Sequence, residues 1–63
     1  MYTIYTSEKC PWCQRAKLLI ERTGGSYEEI LKKHPDWPTF PYILLDGKPI
    51  GGFSELAQFI RAN

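Results

Sequence analysis

The chain has two cysteines, one histidine and one methionine among its 63 residues, and each scarcity closes off a class of protein. Two cysteines are too few for the disulfide-dense scaffold with which small secreted domains make up for a thin core. A tetrahedral structural zinc needs four ligands, and beside the two thiols only His34 remains as a third. No apolar run approaches the roughly 20 residues of a spanning helix, and Met1 leads into a strand-like segment without the pattern of a signal peptide. A cytoplasmic, reducing setting is therefore expected. Charge of neither sign is in surplus: eight Lys and Arg stand against seven Asp and Glu, a net +1. Neither nucleic acid nor an anionic membrane is expected as a partner. Linkers, repeats and low-complexity segments are missing as well, which leaves one small domain over residues 1–63.

What is present is concentrated in Cys10-Pro11-Trp12-Cys13. A two-residue spacer brings two thiols close enough to close and reopen one disulfide. The segment follows a β-like run, Tyr2 to Thr6, and opens a helical pattern through Arg22. Free N–H groups and the positive end of the helix dipole favour a thiolate at the first cysteine. Such thiols titrate from about 3.5 to 7.5 instead of about 8.5. Pro11 at the first helical position loses no hydrogen bond and presets the turn. Cys10 sits at the helix start and Cys13 a turn deeper, so Cys10 is the expected nucleophile. A purely structural staple is the weaker reading, because so short a loop constrains the unfolded chain little.

Along the chain, Tyr2–Thr6 reads as a strand. Cys13, Ala16, Leu19/Ile20 and Thr23 recur at helical spacing up to Gly24-Gly25. Ser26-x-x-Glu29 has the form of a capping box before Ile30 and Leu31, which predicts a short helix over Ser26–Lys33; a strand at Tyr27–Ile30 is the alternative. Residues 36–41 hold two prolines and no regular pattern. Tyr42–Leu45 reads as a buried strand, Asp46-Gly47 as a hairpin turn, and Lys48-Pro49-Ile50 as an edge strand. Ser54 is expected to cap a last helix with Leu56, Ala57, Phe59 and Ile60 inward.

Three separated motifs, in order, resemble those of the glutaredoxins within the thioredoxin-fold superfamily. Cys10-Pro11-Trp12-Cys13 resembles their dithiol segment, Thr39-Phe40-Pro41 the Thr-x-Pro whose proline is cis, and Gly51-Gly52-Phe53-Ser54 the turn that holds the γ-glutamyl end of glutathione. The resemblance spans nearly the whole chain. It implies a minimal α/β fold: a small mixed sheet of three strands, or four, with helices on its faces. It implies a glutathione-dependent thiol–disulfide oxidoreductase that reduces protein disulfides and glutathione mixed disulfides. Cys10 and Cys13 are then the catalytic pair, with Lys9, Trp12, Phe40, Pro41, Gly52, Phe53 and Ser54 as glutathione contacts. Glutathione is co-substrate, no metal or other cofactor is bound, and disulfide-containing proteins are the partners of a monomer. Two other readings stay open: a redoxin fed by thioredoxin reductase, and an iron–sulfur carrier in which two subunits share a cluster through Cys10 and glutathione. The chain also departs from the pattern. Ser7 stands where many members carry a lysine for the glycine carboxylate, with Lys9 two places on. Lys9 either takes that role or stands solvated. The stretch from Gly25 to Thr39 is short, and the element expected to be missing is the second strand, at the sheet edge.

Overall fold

β-Branched and aromatic side chains favour an extended Tyr2–Tyr5, and alternation along it decides what each residue meets. In the computed structural model, which describes residues 1–62, this segment is β1. It is followed by α1 (Pro11–Arg22), β2 (Tyr27–Ile30), β3 (Tyr42–Leu45), β4 (Lys48–Gly51) and α2 (Phe53–Ala62). Asn63, the last residue of the expected 1–63 domain, lies outside the described residues. The sheet runs β2-β1-β3-β4, with β1 parallel to β2 and antiparallel to β3, and β3 antiparallel to β4.

Ile4 of β1 faces Ile43 of β3 in register, and both are fully buried. Ala16 and Ile20 from α1 and Leu56 from α2 close on them to form the core. Each buried Ile or Leu side chain of this set stabilises the fold by about 1.5–3 kcal/mol. Both helices feed this one cluster, so they share the side of the sheet that carries Ile4 and Ile43. Tyr5 and Tyr42, the next register pair, point the other way. There the irregular segment 31–41 lays His34 and Trp37 against them. His34 meets Tyr5 edge-on at 4.8 Å, and Trp37 stacks on Tyr42 at 5.0 Å.

The helix expected over Ser26–Lys33 is not formed; Tyr27–Ile30 is an edge strand. Non-local pairing outweighs the local cap signal. Tyr2 N–H donates to Ser26 O at 3.0 Å and Thr6 N–H to Ile30 O at 2.8 Å, which secures both ends of the parallel pair. Tyr27 packs on the core. Glu29, the would-be capping carboxylate, accepts instead from Lys17 Nζ at 2.9 Å and Thr6 Oγ1 at 2.8 Å. The expected loss of the edge strand is corrected with it: the strand is kept, and segment 31–41 carries no helix. Pro49 does lie on an edge strand, and Asp46 and Gly47 turn the hairpin with φ of 51° and 84°.

Glu29 ties β2 to α1, and its hydrogen bonds from Lys17 first and Thr6 second hold its carboxyl below the usual carboxylate range, with partial burial opposing. A depressed folded-state pKa contributes stability that is present above the unfolded-state value and is lost as pH falls through the folded one. Because Glu29 is partly solvated, Glu29→Gln should cost only about 0.5 kcal/mol at neutral pH. Urea unfolding of both proteins should show that gap at about pH 7 and almost none at about pH 3; an equal gap at both would mean that the charge is not its source.

Candidate active site

β1 ends just before a four-residue loop, and that loop delivers Cys10 to the start of α1. Cys10 is the N-cap: its backbone is extended (φ −127°, ψ 100°), Pro11 opens the helix, and its Sγ accepts from Cys13 N–H at 3.1 Å. The capping role that Ser or Asp oxygen usually fills is thus taken by sulfur. Cys10 and Cys13 are joined as a disulfide with Cα atoms 5.2 Å apart. Cys13 is 1% exposed whereas Cys10 is partly open, so an incoming group reaches Cys10.

Trp12, between the thiols, is half exposed, with its ring 5.3 Å from Phe53 and the Arg15 guanidinium 4.7 Å above it. Beside it opens a cavity of about 220 Å³ lined by Trp12, Trp37, Thr39, Phe40, Pro41, Gly52, Phe53, Ser54 and Glu55. Residues singled out from all three motifs therefore meet around one space. The Phe40–Pro41 peptide is cis and Pro41 is buried. Lys9 is not on this wall. It lines a neighbouring 390 Å³ cavity with Ser7, Glu8 and Lys32, and Phe40 borders both. A larger cavity of 720 Å³ lies between β4 and α2, lined largely by Leu45, Pro49, Ile50 and Phe59. No residue of the dithiol turn borders it, whereas Trp12 of that turn lines the 220 Å³ cavity. His34, the third donor beside the thiols, has its Nδ1 accepting from Asp36 N–H at 3.0 Å and its ring against Tyr5 and Tyr42.

Two wall residues escaped the sequence reading. Trp37 lies in a proline-flanked stretch without periodicity; its Nε1 is buried and without a partner. Glu55 corrects the expected cap of α2. The helix starts at Phe53, Leu56 N–H donates to Gly52 O at 3.0 Å, and Glu55 Oε1 accepts from Gly52 N–H at 2.8 Å. Gly52, not Ser54, is the N-cap, and Glu55 three residues on reaches back as in a capping box. That spacing was the available signal. Ser54 falls inside the first turn.

A reversible dithiol with one accessible sulfur at a helix N-terminus, on a mixed four-stranded sheet, defines a thioredoxin-fold thiol–disulfide oxidoreductase. Comparison with known proteins narrows the class. The family model Glutaredoxin matches residues 2–50. Glutaredoxin 1 of Rickettsia bellii is 38% identical over 84% of this chain and 69% of its own. The solution structure of a glutaredoxin from Brucella melitensis superposes with a TM-score of 0.82 at 30% identity, covering 98% of this chain and 79% of that one. A buckwheat glutaredoxin–glutathione complex shares the fold with a TM-score of 0.85 at 21% identity, over 97% of this chain and 68% of that one. The chain belongs to the glutaredoxin family. No helix among the described residues is long and apolar enough to cross a membrane.

Gly51 joins the last strand to this site at φ 126°, where side chains are strained, and a Cβ there would lie 2.8 Å from Glu55 Cγ. Gly51→Ala should cost about 1–3 kcal/mol and displace the start of α2. Denaturant unfolding together with the Gly52 amide shift reads both effects; an unchanged midpoint would show that the turn relaxes freely.

Proposed function

We propose that this protein uses glutathione to reduce glutathione mixed disulfides and protein disulfides in the cytoplasm, as a monomer and without another bound cofactor. The observation that carries the reading is the meeting of Trp12, which stands between the two thiols in sequence, with Phe40-Pro41 and Gly52-Phe53-Ser54 around one cavity. The Cys10 thiolate attacks the glutathione sulfur of a mixed disulfide, forming Cys10–S–S–glutathione and releasing the substrate thiolate, which takes a proton. A second glutathione thiolate attacks that bond, restoring Cys10 and leaving oxidised glutathione. One free glutathione is consumed: its sulfur and the one taken from the mixed disulfide make up the oxidised glutathione. On a protein disulfide, Cys13 resolves the intermediate instead, and the Cys10–Cys13 bond formed is then reduced by two glutathiones.

The N-terminus of α1 favours charge on sulfur, and that of α2 favours the γ-glutamyl carboxylate. Gly52 N–H is already held by Glu55, so Phe53 and Ser54 N–H and the Ser54 hydroxyl are the donors for it. The backbone of Phe40 pairs with the extended ligand. Lys9 and Lys32, across Phe40, receive its glycine carboxylate in place of a lysine at Ser7.

Cys10→Ser should abolish turnover of a small glutathione mixed disulfide, whereas Cys13→Ser should keep it but lose reduction of protein disulfides. Titrating glutathione into Cys13→Ser protein should move the Phe40, Gly52, Phe53 and Ser54 amides. Silence at all four would instead favour a redoxin fed by a flavoprotein reductase.

Glu55 sets a negative charge beside the proposed carboxylate site. Glu55→Gln keeps the acceptor for Gly52 N–H and removes that charge, so the glutathione KM should fall about two- to threefold with kcat little changed. A KM that rises would place the carboxylate elsewhere.

A further inference from the structure

α1 leaves one long face uncovered. Trp12, Arg15, Leu18 and Arg22 recur three and four residues apart and so form one exposed stripe, with Leu19, partly buried against the core, along its inner edge. Arg15, Leu18, Leu19 and Arg22 line, with Phe53, a shallow cavity of about 200 Å³. Leu18 on its rim is 49% exposed. Of the basic residues of α1, Lys17 is paired with Glu29 at 2.9 Å. Arg15 and Arg22 have no carboxylate partner among the described residues. Glu21, the one carboxylate of α1, does not line the cavity. The result is an apolar floor between two guanidiniums without a carboxylate partner, and it is continuous with the dithiol turn because Arg15 lies over Trp12.

The length of the stripe sets what it fits. At 1.5 Å per residue, Arg22 is about 15 Å along the helix from Trp12. An extended peptide covers that in about four or five residues. We propose that this face docks the protein whose disulfide is reduced, by an extended segment with an apolar side chain and an acidic residue about five positions from the reacting cysteine. The acid meets Arg22 and the apolar side chain lies against Leu18, Leu19 and Phe53. Exposed charges of this kind act more on encounter than on residence, so the preference appears in the rate and fades with salt. The inference rests on Cys10 as the thiol that meets substrate, and not on which reductant restores it.

The test is single-turnover reduction by prereduced protein of peptides with one internal disulfide. An Asp pair is placed about two, five or eight residues from the cysteine, on either flank, with Asn controls. The five-residue Asp peptide should react about three- to tenfold faster than its control at low salt and equally at high salt. Leu18→Gln/Arg22→Gln should remove that preference while leaving reaction with a small glutathione mixed disulfide within about twofold of the parent. Circular dichroism checks the fold of the double variant, with Arg22→Gln alone as the milder arm. Equal rates for Asp and Asn peptides, or a preference that survives both substitutions, would overturn the proposal. Because prereduced protein needs no glutathione, such a failure is distinct from a failure of glutathione dependence.

Discussion

The pairing of β1 on both of its sides is the constraint on which the rest of this molecule depends. With β2 along one edge and β3 along the other, β1 sits inside the sheet, and its Ile4 is fully buried against Ile43. After five further residues beyond β1 the chain must begin α1. The helix is anchored over the same core by Cys13, Ala16 and Ile20, all buried. That double anchorage fixes where Cys10 stands. A cysteine on a free loop would lack the helix N-terminus that holds its sulfur, and the same sequence on a frayed helix would lose the Cys13 N–H contact. The placement of the dithiol thus follows from the burial of Ile4, Ala16 and Ile20 together with that of Cys13 itself.

The two faces of the sheet are covered differently. Both helices gather on the Ile4/Ile43 side, and opposite them segment 31–41 covers the sheet with side chains in place of a helix. Tyr5, His34, Trp37 and Tyr42 form a continuous set of ring contacts between 4.6 and 6.1 Å. Rings bury much area per residue and lose little conformational freedom in doing so, which suits a segment with no backbone ladder of its own. The same segment continues into Thr39-Phe40-Pro41. Trp37 therefore has two roles, stacked on Tyr42 and lining the dithiol cavity. The cover of the sheet and the wall of the site are one structure.

The parts of this arrangement legible in the sequence are those set by local chemistry. A proline after the first cysteine, a hairpin dipeptide and a glycine pair before a helical pattern each carry their meaning within a few residues. The order of the three motifs then sufficed to foresee a shared site. Tyr27–Ile30 was misread because its state is decided elsewhere, by the open edge of β1 and by Lys17 and Thr6 competing for Glu29. The α2 cap was misread for a subtler reason. Ser54 is a good capping residue, but the helix is capped two residues before it, where Glu55 holds Gly52 N–H, and only the path of β4 into the helix sets that start. Trp37 had no local signal at all.

Two helix N-termini converge on one small cavity, and that convergence has an electrostatic consequence. Trp12 belongs to the first turn of α1, Phe53 and Ser54 to the first turn of α2, and all three line the same space. Each helix brings roughly half a positive charge in the form of fixed N–H groups, which need no reorganisation when a charge arrives. Against these stands Glu55, whose carboxylate already holds Gly52 N–H. The dipoles act on any anion near them, whereas Glu55 opposes chiefly an anion brought to the start of α2. The first turn of α1 carries no acidic residue, whereas that of α2 carries Glu55, so the two helix starts favour an anion unequally. On the function proposed above, this arrangement favours loose binding of a small anionic thiol while keeping the protein's own sulfur reactive, the balance needed to release product.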